Sequence, residues 1–110
     1  MNDSRPTDTA ARGLTTLDAV RGVRAAAVAA GIRYADRLDL VMLAFDAGTQ
    51  AAAVFTRNAF CAAPVQIARD ALQRSDGQPR MLLINTGNAN AGTGAAGLEA
   101  AQRCCDALAD

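Results

Sequence analysis

The 110 residues include no histidine. That removes imidazole acid–base chemistry, Ser-His-Asp triads and histidine-ligated metals from the chain's repertoire. Tryptophan is also absent and aromatics are only 4% of residues, too few for a base-stacking platform. Neither sign of charge dominates, since 11 Lys and Arg balance 11 Asp and Glu. Zero net charge argues against nucleic acid or an anionic membrane as a partner. No apolar run approaches the roughly 20 residues that span a bilayer. Cysteines are Cys61, Cys104 and Cys105 only. An odd number with no C-x-x-C spacing favours neither a disulfide framework nor a zinc site. They are expected as small buried apolar residues in a reducing compartment. No metal and no bound cofactor is expected.

What the chain has is alanine, glycine and short apolar runs, with 51% hydrophobic residues overall. It can bury a core, but one poor in bulky side chains, which suggests that further chain completes it. The length suits one small domain or a piece of a larger one. Residues 1–16 are polar, small and mixed in charge, without the apolar centre of a secretory signal. They read as a flexible leader, residues 17–110 as the folded part, and the protein as cytoplasmic.

Residues 18–33 are ambiguous: alanine favours helix, whereas the valines and bracketing glycines would also suit a strand. Residues 38–45 and 51–56 are short apolar runs separated by Asp46-Ala47-Gly48-Thr49-Gln50, a pattern that predicts a β-hairpin. Both runs are apolar on both faces, so the sheet is expected to be covered on both sides. Pro64 opens a helix, being favoured where the backbone N–H has no partner. Val65, Ile67, Ala68, Ala71 and Leu72 form its apolar side. Ser75-Asp76-Gly77-Gln78-Pro79 stops it. Residues 81–84 predict a third buried strand. A last helix is predicted over 94–108, with Leu98, Ala101, Cys105 and Leu108 on one face. The sum is an α/β arrangement.

The most unusual stretch is INTGNANAGTGAAG, residues 84–97. Asparagine amides and glycines crowd the passage from a buried strand to a helix start. Amides both donate and accept hydrogen bonds without charge. The helix start adds free N–H groups and partial positive charge. Such a turn suits a carboxylate, a phosphate or a carbonyl oxygen. The competing structural reading is that Asn85, Asn88 and Asn90 only pin an irregular turn. Gly92-Thr93-Gly94-Ala95-Ala96-Gly97 matches the letters of a dinucleotide fingerprint. Its context is wrong, because seven residues intervene after the strand. A P-loop fails as well, because Thr93 stands where lysine is required.

Those residues carry a resemblance. The segment 84–94, INTGNANAGTG, resembles the Asn-rich segment of ornithine acetyltransferases, also called glutamate N-acetyltransferases. The block VFTRNAFCAAPV, residues 54–65, is similar to a second block of that family. Gly22-Val23-Arg24-Ala25 through Ala30-Gly31-Ile32-Arg33 is similar to its N-terminal strand. The resemblance thereby decides the ambiguous segment in favour of a strand.

It implies an α/β sandwich of mixed β-sheets flanked by helices, shared with DmpA-type aminopeptidases. It also implies an arginine-biosynthesis enzyme that moves acetyl from N-acetylornithine, or in some members acetyl-CoA, to glutamate. In the family the precursor cuts itself before a threonine. That threonine begins the β chain and carries the acetyl group, so the partner implied is a β chain in a hetero-oligomer. An N-terminal threonine can be activated by an α-amino group, which fits the absence of histidine. The family's oxyanion Thr-Gly pair, its substrate lysine and its threonine nucleophile match nothing up to Asp110. Thr86-Gly87 and Thr93-Gly94 match the Asn-rich segment instead. The chain is therefore expected to be an N-terminal portion of the α chain, inactive alone and without catalytic residues. Asn85, Thr86, Gly87, Asn88 and Asn90 are expected to wall or brace the substrate site. The alternative is a non-catalytic small-molecule-binding domain using the Asn/Gly-rich loop 85–94.

Overall fold

The computed structural model describes residues 19–110. The expected leader, residues 1–16, lies outside them. Three strands and two helices follow in the order β1 (Val23–Val28), β2 (Leu40–Phe45), α1 (Ala63–Arg74), β3 (Met81–Asn85) and α2 (Gly94–Ala109). The strands form one antiparallel sheet in the order β1-β2-β3. The α/β class is as expected.

β1 is a strand despite its run of alanines because β2 pairs with it along its whole length, Val23 opposite Phe45 and Val28 opposite Leu40. Pairing and context outweigh intrinsic propensity here. β2 is the central strand and β3 takes its other edge, with Leu40 opposite Asn85 and Ala44 opposite Met81. This register lays Ala26, Met42 and Leu83 across one face, and Ala25, Leu43 and Leu82 across the other.

The hairpin expected between 38–45 and 51–56 does not form. Both edges of β2 are occupied by β1 and β3, so the second run cannot pair with β2. Residues 51–56 are irregular and Val54 is almost wholly exposed. The segment is tied down at its start, where the Ala51 N–H donates to Gly77 O at 2.8 Å. The hairpin that does form joins β1 to β2 through residues 29–39.

α1 begins with Pro64 in its first turn and ends at Ser75. There the chain leaves through left-handed Asp76 and Gly77, with φ of 52° and 73°. The Gly77 N–H caps the helix by donating to Leu72 O at 2.9 Å. α1 and α2 pack on each other rather than across the sheet. The covering expected on both faces is thus not supplied by these two helices. Among the described residues Ala63 is the one buried apolar side chain, while Met81, Leu82 and Ile84 of β3 are exposed. The cysteines follow the same pattern. Cys61 is half-buried, and Cys104 and Cys105 are exposed free thiols. This corrects the expectation of burial: nothing among the described residues lies over that side of α2.

Candidate functional site

The Asn-rich turn begins where β3 ends. The Thr86 N–H continues the ladder past Asn85 by donating to Asp39 O at 2.9 Å. Beyond it the chain turns at Gly87, with φ of +88°. Three amides then bond in series. Asn88 Nδ2 donates to Asn90 Oδ1 at 3.4 Å, and Asn90 Nδ2 donates to Asn85 Oδ1 at 3.2 Å. Thr93 Oγ1 donates to Asn90 O at 3.4 Å and ties the turn to the start of α2. The expected site residues Asn85, Thr86, Gly87, Asn88 and Asn90 are therefore brought together. The side chains of Asn85, Asn88 and Asn90 bond to one another, and none of the five residues lines the neighbouring cleft.

That cleft, of about 160 Å³, is lined by Phe60, Cys61, Gln66, Gly92, Thr93 and Leu98, among others. It forms where the block 54–65 meets the end of the Asn-rich segment. The block shapes itself locally. The Asn58 N–H donates to Thr56 Oγ1 at 3.1 Å, and the Phe60 N–H donates to Asn58 Oδ1 at 3.0 Å. These two short turns aim the Phe60 ring at Gly92. A β-carbon built on Gly92 would meet Phe60 Cζ at 2.6 Å, closer than real contacts allow. Gly92 also has φ of +70°. Only glycine meets both demands without strain. Gln66 Nε2 donates to Cys61 O at 2.9 Å and holds the entry to α1 against its first turn.

The starts of α1 and α2 both border the cleft. Neither is capped by a side-chain hydrogen bond, and neither has an acidic residue in its first turn. At α1 the Val65 and Gln66 N–H groups already donate to Ala62 O and Pro64 has none. That start offers mainly its partial positive charge, whereas α2 adds unpartnered N–H groups in its first turn. The cleft is smaller than the roughly 300–1,000 Å³ of a complete ligand pocket. The positive ends of two helices face it, an arrangement that favours a carbonyl oxygen or a carboxylate. No group of side chains among the described residues has the makings of a metal site.

Asp39 escaped the sequence reading. It is 3% exposed, the one buried charged residue among those described. Its Oδ1 accepts the Ala30 N–H at 2.6 Å and its Oδ2 accepts the Ile32 N–H at 2.8 Å. These bonds, led by that from Ala30, hold the carboxyl below its ordinary pKa, against the opposing effect of burial. The Asp39 N–H donates to Val28 O, and its carbonyl receives Thr86. One residue thus fixes the β1–β2 loop and the base of the Asn-rich turn together. The available signal was a lone acid inside an otherwise apolar run.

The sequence pattern of the ArgJ family matches residues 24–110. The chain belongs to the ArgJ family. It is 49% identical over 104 residues to the arginine biosynthesis bifunctional protein ArgJ of Gluconobacter oxydans, covering 94% of this chain and 24% of that protein. The Pseudomonas syringae protein of the same name is 51% identical over 96 residues, covering 87% and 23%. Among solved structures, Mycobacterium tuberculosis ornithine acetyltransferase, complexed with ornithine, superposes with a TM-score of 0.67 at 42% identity. That match covers 76% of this chain and 42% of the other. The Bacillus halodurans ArgJ protein gives 0.69 at 30% identity with the same coverage. The chain therefore spans under a quarter of the length of these curated relatives. No helix among the described residues is long and apolar enough to cross a membrane.

Proposed function

We propose that this chain supplies one wall of an acetyl-transfer site in an arginine-biosynthesis enzyme, which moves acetyl from N-acetylornithine to glutamate. Acetyl-CoA is an alternative donor. The observation that carries the reading is the contact of Phe60 with Gly92. It joins the two most family-like blocks of the sequence across a cleft bordered by two uncapped helix starts. The Asn-rich turn braces that wall, since Asn85, Asn88 and Asn90 bond to one another and not into the cleft. The acyl-carrying threonine and the oxyanion donors come from outside this chain, on a β chain and on the remainder of an α chain. The expected assembly is a cytoplasmic hetero-oligomer, formed after the precursor cleaves itself.

The test is a chimera. The matching segment of the Mycobacterium tuberculosis ornithine acetyltransferase is replaced by residues 24–110 of this chain, and acetyl transfer from N-acetylornithine to glutamate is measured. A soluble chimera that self-cleaves and retains activity within about tenfold, roughly 1.4 kcal/mol of transition-state stabilisation, supports the reading. A folded, cleaved chimera without transfer refutes it, as does transfer by this chain alone.

A further inference from the structure

The β1–β2 loop carries a basic cluster that the acetyl-transfer reading does not use. Arg37 stacks on Tyr34 with its guanidinium carbon 4.4 Å from the ring centroid, and Arg33 approaches the same ring at 5.5 Å. The two guanidinium groups are thus no farther apart than roughly 10 Å, about the screening length of 0.1 M salt. All three side chains are exposed. Neither arginine forms an ion pair with a carboxylate among the described residues. Both oxygens of Asp39 are engaged by the loop backbone at Ala30 and Ile32. Asp36 lies in the same loop, but no bond from it to either arginine is formed among the described residues.

The cluster is also held in place. Asp39 pins the backbone on the N-terminal side of Arg33, and the Asp39 N–H bonded to Val28 closes the loop. Arg33 lies against the Asn-rich turn, since a β-carbon built on Gly87 would meet Arg33 Cβ at 3.6 Å. Two arginines preset on one aromatic ring offer planar, multidentate donors suited to oxyanions. Their mutual repulsion is relieved when an anion binds.

We propose that Arg33, Tyr34 and Arg37 form an oxyanion-binding site, for a carboxylate or a phosphate group, beside the Asn-rich turn. Tyr34 is the only tyrosine and tryptophan is absent, so the chain's intrinsic fluorescence reports on this site alone. The experiment titrates the chain at micromolar concentration with inorganic phosphate, and separately with glutarate, at ionic strength held constant with sodium chloride. A saturable change in Tyr34 emission is expected. Saturation with phosphate alone assigns a phosphate-bearing ligand, saturation with glutarate alone a carboxylate ligand, and saturation with both the shared oxyanion chemistry. Arg33→Gln and Arg37→Gln should each raise half-saturation at least about tenfold, through loss of charge-assisted bonds. Both positions are exposed and the loop's hydrogen bonds come from Asp39, so the fold should persist in these variants. Arg33→Lys, which keeps the charge but not the fork, should fall between. Arg69→Gln, on an arginine that stacks on Phe55 instead, should change nothing. A strictly linear response matching that of free N-acetyltyrosinamide would overturn the proposal. So would half-saturation unchanged in both glutamine variants.

Discussion

Gly92→Ala tests the junction between the two family blocks. Two effects add. At φ of +70° an alanine pays about 1–2 kcal/mol for left-handed backbone. Its β-carbon would also sit 2.6 Å from Phe60 Cζ and 3.2 Å from Cε2. Overpacking of this kind costs about 1–3 kcal/mol in a close-packed core. Phe60 is 68% exposed, however, so the ring can swing outward and the lower end applies. The total is about 2–3 kcal/mol. Gly48→Ala is the comparison: φ is +86° there and nothing lies within 4 Å of the new β-carbon. It should cost only the backbone part, about 1–2 kcal/mol. Urea unfolding followed by far-UV circular dichroism, in sulfate buffer to raise the baseline stability, gives both values. The excess of Gly92→Ala over Gly48→Ala should vanish when Phe60→Ala is already present. Equal costs for the two glycines, or an excess that survives Phe60→Ala, would refute the role given to the ring.

Asp39 should shape the acid limb of the stability curve. Its folded pKa is depressed, so its contribution is full above the ordinary carboxylate range, about pH 4, and fades as pH falls through the lower folded value. Asp39→Asn should flatten the urea midpoint against pH in that window, and an unchanged profile would remove Asp39 as a pH-dependent brace. Asn88 is exposed and its bond to Asn90 is long at 3.4 Å, so Asn88→Ala should shift stability by less than about 0.5 kcal/mol. A larger loss in the same urea assay would show that the Asn88–Asn90 bond carries more of the turn than the Asn90–Asn85 bond. The outer strands β1 and β3 leave free edges, and Met81, Leu82 and Ile84 are exposed, so the isolated chain should self-associate. Leu82→Lys should reduce that association in sedimentation velocity, and a parent chain that stays monomeric across the same concentrations would count against it.

Local signals in the sequence were legible where local chemistry decides. Pro64 set the start of α1, and Asp76-Gly77 set its end. The glycines and asparagines after β3 marked a turn leading into α2. β1 was decided by family resemblance, because its alanines satisfy helix and strand alike until β2 is present to pair with. The hairpin expectation failed for the complementary reason. Residues 51–56 look like a strand, but pairing is a competition, and β1 and β3 won both edges of β2. Nothing local reveals which apolar runs will meet. The same holds for the cleft, where Phe60 and Gly92 are brought together only by the packing of α1 on α2. Asp39 was legible in principle, since an acid within LDLVMLAF needs a reason to be there. Its partners, Ala30 and Ile32, are backbone groups that no side-chain motif announces.

The four hydrogen bonds of Asp39 also bear on how the molecule opens. Its N–H, its carbonyl and both carboxylate oxygens join Val28, Thr86, Ala30 and Ile32. These partners belong to the end of β1, the turn beyond β3 and the loop between β1 and β2, segments more than 50 positions apart at the extreme. The amides of Ala30, Ile32 and Thr86 therefore share one anchoring residue, and displacing Asp39 releases all three. Where exchange proceeds through displacement of Asp39, the three should show a common opening free energy, each measured against its own intrinsic exchange rate. The start of the Asn-rich turn, remote in sequence from the β1–β2 loop, should then open in step with it.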